Sequence, residues 1–283
     1  MLPLEESSRA RARIKSCSGV GAQWVAALPT SLKSTFNDED FRAVMRFRLG
    51  LETNDLQICP HITAEGAQCE AACDRWGYHL LQCPSGGGYF VGHDTVCAEF
   101  ADLAGGSEGI PGVVVDWKAE VPAWPCATRG YEADVGLSHI PGERDLYLDG
   151  VISLANPSSY RGCENKAGKV AELWARRKNL EHPVFDRSTG RRMHPFDFRP
   201  LAFERHGFIA KETVALIRKL ASLKAAHFEL DQSEEIRRWY VALSCCVQRA
   251  NAKILRGEAV PGRGGPIPSR LLAGRYDLPL GGS

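Results

Sequence analysis

Apolar residues recur at helical spacing in five stretches of the chain and gather into short, dense runs in four others. The first helical stretch, FNDEDFRAVMRFRLGL, opens on Asn37, a short polar residue able to accept a free backbone N–H at a helix start. It sets Phe41, Val44, Met45 and Leu49 on one face, with arginines outside. A second, HDTVCAEFADLAG, carries Val96, Phe100 and Leu103 and stops at Gly105. From 113 to 154 the pattern changes to VVVDW, YEADVGL and DLYLDGVISL, short runs rich in β-branched and aromatic residues and parted by Pro and Gly turns. Helical spacing returns over 165 to 181, FRPLAFE reads as a fourth strand, and HGFIAKETVALIRKLASLKA as a helix with Phe208, Leu216, Ile217 and Leu220 as its apolar positions. A last helix starts at the cap Asp231 and carries Trp239, Leu243, Val247 and Ala250 on one side.

The order α, β, β, β, α, β, α predicts an α/β protein of the α+β kind, with a mixed sheet. The expected divisions are a lead over 1–35 with no fold of its own, a helical and cysteine-rich region over 36–88, the sheet domain over 89–225, a C-terminal helix over 226–256, and a disordered Gly- and Pro-rich tail over 257–283. A Gly-rich hinge is expected at 85–88. No repeat is visible.

Composition narrows the class. With 44% hydrophobic and 24% charged residues, the chain can bury a sizeable core and is neither collagen-like nor disordered. No apolar run is long enough to span a bilayer, and the first residues lack a signal-peptide pattern, so the expectation is an intracellular protein that does not engage membranes. In a reducing compartment ten cysteines read as metal ligands and buried thiols rather than disulfides.

Net charge is only +1, but it is unevenly spread. Residues 90–160 hold eleven Asp and Glu against three Lys and Arg, and residues 161–219 hold fourteen Lys and Arg against seven Asp and Glu. An acidic half beside a basic half suits a divalent-ion pocket next to a phosphate-binding face, although plain clustering of surface charge gives the same counts.

Two constellations could carry chemistry. In CEAACDRWGYHLLQC, Cys69 and Cys73 lie four apart, as do His79 and Cys83, a spacing that brings four donors to one tetrahedral Zn²⁺; incidental buried thiols are the alternative. Cys59 and His61 are nearby spare donors. The second pair is Asp134 in YEADVGL and Asp149 in LYLDGVI, carboxylates within apolar strands that call for a cation or a backbone or arginine partner. Two such groups with a nearby lysine could hold Mg²⁺ or Mn²⁺ and activate water against a phosphodiester. In the basic loop DRSTGRRMHP, Arg187, Arg191 and Arg192 are candidates for phosphate contact, with Arg176 and Arg177 on the preceding helix. Trp76 and Tyr78 could stack on a base or simply pack in the core. Serine- or cysteine-nucleophile spacing and a Gly-Lys-Ser/Thr phosphate loop are both missing from the sequence.

The order GAQWVAALP, RFRLGL, the cysteine segment followed by His93-Asp94, then YEAD, LDGVISLANP and FRPLAFERHGFIAKE resembles the carboxy-terminal region of non-LTR (LINE-like) retrotransposon polyproteins, over residues 20 to 255. That region joins a zinc knuckle to a restriction-like endonuclease of the PD-(D/E)XK superfamily. The resemblance implies a DNA-nicking nuclease with Asp134 and Asp149 on the metal and Lys178 assisting, or in its place Lys166 or Lys169. It makes Glu204 a further carboxylate or a partner of the lysine, and it matches His93 to a histidine of unassigned role. It implies structural zinc, catalytic Mg²⁺ or Mn²⁺, DNA and element RNA as partners, a reverse transcriptase in cis or trans, and a nuclear location. Two departures from the family bear on activity: Glu132-Ala133 replaces Arg-Pro, and Asn179 replaces a tyrosine. The first removes a positive charge and adds a negative one beside the metal, and can leave a protein that binds nucleic acid without cutting it. A Tyr-hydrophobic-Asp-Asp polymerase stretch does not occur.

Overall fold

A computed structural model of the chain describes residues 4–62, 66–83, 88–117, 120–121 and 131–258. The tail from 259 and most of the 85–88 hinge, like Cys126, lie outside the described residues. The fold is mixed α/β around a four-stranded sheet of order β1-β4-β5-β6.

Helix α4 (Gly88–Gly105) precedes β1 (Val114–Trp117), β4 (Val135–Ser138) and β5 (Leu146–Ser153), which pair antiparallel in turn. A two-residue pair, β2 (Glu120–Val121) with β3 (Tyr131–Glu132), falls between β1 and β4 in the chain and forms a separate small sheet. After β5 the chain crosses through α5 (Lys169–Glu181) and returns as β6 (Asp197–Glu204), parallel to β5 in the register Asp149↔Pro200 and Ser153↔Glu204. A parallel return needs such a crossover, because a tight turn cannot bring a strand back in the same direction.

Alternation along β5 divides the core. Leu146, Leu148 and Ile152 pack with Val96, Cys97 and Phe100 of α4 and with apolar residues of α6 (Lys211–His227) and α7 (Gln232–Leu255). Val151 turns the other way, onto Ala171 and Ala175 of α5. One sheet face is therefore covered by α4, α6 and α7, and the other by α5. Trp239 is fully buried edge-on to Phe100, ring centroids 5.7 Å apart. Its helix is capped as expected, Asp231 accepting from Glu234 N at 2.8 Å, and Trp239, Leu243, Val247 and Ala250 are all buried.

Two expectations about the N-terminal part need correction. The lead is structured: α1 spans Leu4–Ser16 and a 3-10 turn spans Val20–Ala26. Helix α1 has little apolar periodicity because it packs through small groups, burying Ala12 and Ser16, with Arg9 set over the Tyr78 ring at 5.6 Å. In α2 (Asp38–Leu49) the buried face is Asp40, Ala43, Val44 and Phe47, while Phe41 and Leu49 stay 45% and 57% exposed. The helix can turn Asp40 inward because Arg256 meets its carboxylate at 2.8 Å.

His206, just past β6, is buried and stacked on Phe47 at 4.2 Å. Burial first, then the charges of Arg13 and Arg48, push its pKa down to about 3. A histidine with a folded pKa below its unfolded value costs nothing above pH 6.5 and destabilises as pH falls from there toward 3, by up to about 1.4 kcal/mol per pH unit. Melts from pH 7 to pH 4.5 should show a falling midpoint. His206→Phe should flatten that fall, and an equally steep fall in the variant would assign the acid sensitivity to other groups.

Candidate metal centres and the aspartate pair

The cysteine segment is a hairpin followed by a short helix. Ile58 bridges Ala72 and Ile62 bridges Gln68, so Cys59, His61, Cys69 and Cys73 share one face of the ladder. Asp74 accepts from the backbone N–H groups of Trp76, Tyr78 and His79 at 3.1, 3.1 and 2.7 Å. This fixes the start of α3 (Tyr78–Gln82) and aims His79 and the residue after the helix, Cys83, at the hairpin. Gly77 makes the turn at φ 76°, where a side chain would be strained and would press into Leu255.

Cys59, Cys69, His79 and Cys83 bring one donor atom each within 4.8 Å of one another. Cys59 Sγ and Cys83 Sγ are 3.6 Å apart, as are Cys69 Sγ and His79 Nε2. Tetrahedral Zn–S bonds of about 2.3 Å put paired sulfurs about 3.7 Å apart, so this Cys3His group can hold a metal ion such as zinc. Cys59 takes the place expected of Cys73. Positions four apart on an extended strand are about 13 Å apart at Cα, whereas Cys59 sits across the ladder between Cys69 and Cys73. The Cys73 thiol stays beside Cys59. Burial pushes the Cys59 thiol up to about 12, and metal binding has to overcome that by taking the thiolate. Tyr78 packs in the core with Phe47, and Trp76 packs against the same cluster.

Asp149 and its neighbours form a second group. Lys178 Nζ donates to Asp149 Oδ2 at 2.6 Å, and His182 Nε2 lies 3.4 Å from the same oxygen. The crossover explains this: α5 begins over the C-terminal end of the parallel strands and runs back along them, bringing Lys178 and, one turn on, His182 over the middle of β5. Of the three candidate lysines, Lys178 meets the aspartate; Lys169 donates to Arg161 O at 2.6 Å, and Lys166 is exposed. His182 was missed in the sequence, although its spacing of four from Lys178 on one helix is a usable signal.

Glu204 does not reach the lysine. It is 1% exposed and accepts from Val170 N and Ala171 N at 3.0 and 3.2 Å, capping the first turn of α5. The same geometry is responsible, since Glu204 ends β6 where α5 starts, far along the helix from Lys178. Burial raises its pKa, opposed by the nearby Ser16 hydroxyl and by the bonds from the two backbone N–H groups.

Asp134 is the bend residue just before β4, one position beyond the last β4–β5 pair, Val135↔Leu148. Its carboxylate, however, is held from the α4 side: Oδ2 accepts from Gly150 N at 2.7 Å and lies 2.9 Å from His93 Nε2. His93 Nδ1 in turn lies 2.8 Å from Asp94. Burial disfavours the charged imidazole, but the bonds to Asp134 and Asp94 outweigh it and push its pKa up to about 9. Asp134, at the bend, and Asp149, within β5, thus have carboxylates gripped by helices on opposite faces of the sheet. Ala133 is fully buried, in a cluster with Val184, Phe196 and Phe198. Glu132 lies at the margin of the described residues.

The basic candidates separate into free and engaged groups. Arg176, Arg187 and Arg191 are exposed, Arg187 donating to Leu180 O at 2.8 Å. Arg177 pairs with Glu181 at 2.8 Å and lies over Trp174. Arg192 is structural: it donates to His194 O and Phe196 O, meets Asp197 at 2.6 Å and stacks on Phe185. That corrects its assignment as a phosphate contact, because the loop it ties together already uses its donors. A cleft of about 420 Å³ runs beside α5 between Lys166, Arg176 and Lys211, with Glu172 and Glu212 on its wall. Among the described residues, no helix is long and apolar enough to cross a membrane. Set against protein-family models and curated proteins, the chain matches none.

Proposed function

We propose that the chain is a DNA endonuclease of the restriction-like PD-(D/E)XK kind, joined to a zinc knuckle, that nicks DNA by divalent-ion-assisted hydrolysis as LINE-like elements do. The observation that carries this reading is the Asp149–Lys178 contact of 2.6 Å, made in the middle of β5 within an α-β-β-β-α-β unit, with Asp134 bound to the next residue's backbone, Gly150 N, at 2.7 Å. Structural Zn²⁺ at Cys59, Cys69, His79 and Cys83 fits the soft donor set. Asp134 would supply a carboxylate to Mg²⁺ or Mn²⁺, and the fit rests on that carboxylate's free edge, 25% exposed at its side chain. Such an ion, when bound, polarises a phosphate oxygen and lowers the pKa of a water.

The protein's own groups do the rest. Lys178 neutralises Asp149 and offers a cationic head to the charge that develops on an attacked phosphate. His93 and Gly150 N hold Asp134 in one orientation. Arg176, Arg187 and Arg191, exposed on and beyond α5, would bind the DNA backbone without reading sequence. Element RNA and a reverse transcriptase, in cis or trans, are proposed as further partners, and the nucleus as the location.

A second reading, a nucleic-acid-binding relic that no longer cuts, is favoured by one observation: each aspartate already has an internal cationic partner, from helices on opposite faces. End-labelled duplex separates the two. Under the nuclease reading, the zinc-loaded chain binds duplex with no further divalent ion added and cuts it on addition of Mg²⁺ or Mn²⁺, and Asp149→Ala keeps binding while losing at least about a hundredfold in cutting. Binding with no cutting under any ion supports the relic.

A further inference from the structure

His93 and Cys97 lie four apart on α4, so imidazole and thiol project from one face of the helix toward β4 and β5. The donor atoms of His93, Cys97 and Asp134 all fall within 4.8 Å of one another, and Asp149 is outside this group. Asp94 holds His93 Nδ1 at 2.8 Å, which leaves Nε2 as the nitrogen facing Asp134. A carboxylate on the far nitrogen is the arrangement that orients a metal-bound imidazole and strengthens it as a donor. The strand opposite makes room for it. At Gly150 a side-chain carbon would press into Cys97 Sγ and come within 3.1 Å of His93 Nε2, so glycine in the middle of a buried strand keeps the space between these donors open.

We propose that His93 Nε2, Asp134 and Cys97 Sγ together hold the divalent ion of this site, and that it is therefore a first-row transition ion rather than Mg²⁺, with Zn²⁺ the best match to the sulfur donor and Mn²⁺ a weaker one. Oxygen ligands alone discriminate little between the two, whereas nitrogen and sulfur donors favour first-row transition ions and are poor ligands for Mg²⁺. This assignment rests on the nuclease reading for its purpose, but its test reads binding.

Calorimetric titration of the chain carrying one zinc per molecule, with Mn²⁺ and with Mg²⁺, is expected to give a Kd at least about tenfold lower for Mn²⁺, and His93→Gln to bring the two together. Should His93→Gln fail to fold, Asp94→Asn keeps all three donors and is expected to weaken Mn²⁺ about tenfold while leaving Mg²⁺ unchanged. Equal affinities in the parent chain, no Mn²⁺ binding, or Mn²⁺ binding unaltered in a folded variant overturns the proposal. Mn²⁺ binding that depends on His93 with no DNA cleavage upholds this site and removes the nuclease reading. Cleavage with Mg²⁺ as fast in His93→Gln as in the parent does the reverse.

Discussion

Cys59→Ser is expected to release zinc from the purified chain and to unfold the hairpin and short helix over 57–83, while Cys73→Ser keeps the metal. The hairpin has little else to hold it. Its ladder consists of two isolated bridges, and its apolar support is one small cluster shared with Phe47, Leu154, Ile254 and Leu255. Structural zinc in small domains contributes about 10 to 16 kcal/mol of apparent binding free energy near neutral pH, and most of it is folding free energy. Removing one of four donors forfeits a large share, and chelation forfeits all of it. Because the cluster joins this region to α2 and α7, loss of zinc should also lower the main unfolding midpoint. Zinc content per chain and a thermal melt, measured on both variants, decide the ligand set. Zinc retained by Cys59→Ser and lost by Cys73→Ser would reverse it.

Lys178→Met is expected to cost about 3 kcal/mol of stability, because it leaves the Asp149 carboxylate, 8% exposed, without its main partner inside the fold. Breaking a buried pair from one side costs about 3 to 5 kcal/mol, and His182 at 3.4 Å remains to soften the loss toward the lower end. Removing both charges should cost far less, since an apolar pair of similar volume often replaces a buried ion pair at little cost. Urea unfolding of Lys178→Met and of Lys178→Met with Asp149→Leu therefore gives a non-additive result if the contact is as tight as it stands. A single variant within about 0.5 kcal/mol of the parent would mean that water screens the pair.

Much of the fold was legible because its elements are locally consistent. The four strands of the main sheet, the crossover helix and the capped last helix follow from apolar spacing and punctuation that agree with the tertiary packing. The expectations that failed did so where partners distant in sequence decide the outcome. Helix α1 buries alanine and serine, which leave no periodic trace, and α2 turns an aspartate inward because Arg256 comes to meet it. Asp134, Asp149 and Lys178 stood out as charges in apolar surroundings or by resemblance, but which helix grips each aspartate depends on the bend that turns Asp134 toward α4 just before β4 and on where the crossover lands. Cys59 was legible only as a donor type: its role depends on hairpin register, and Ile58↔Ala72 is not written in cysteine spacing. Glu204 and Arg192 looked like functional charges and prove to be a helix cap and a loop tie.

The most direct test of the nuclease account is nicking of supercoiled plasmid by the zinc-loaded chain, with Mn²⁺, with Mg²⁺ and with no added divalent ion, beside an Asp149→Asn variant shown to be equally folded. The account predicts open circles that appear only with a divalent ion and only with Asp149 intact. Supercoiled DNA that survives every ion at excess protein, while the same preparation still binds it, would contradict the account.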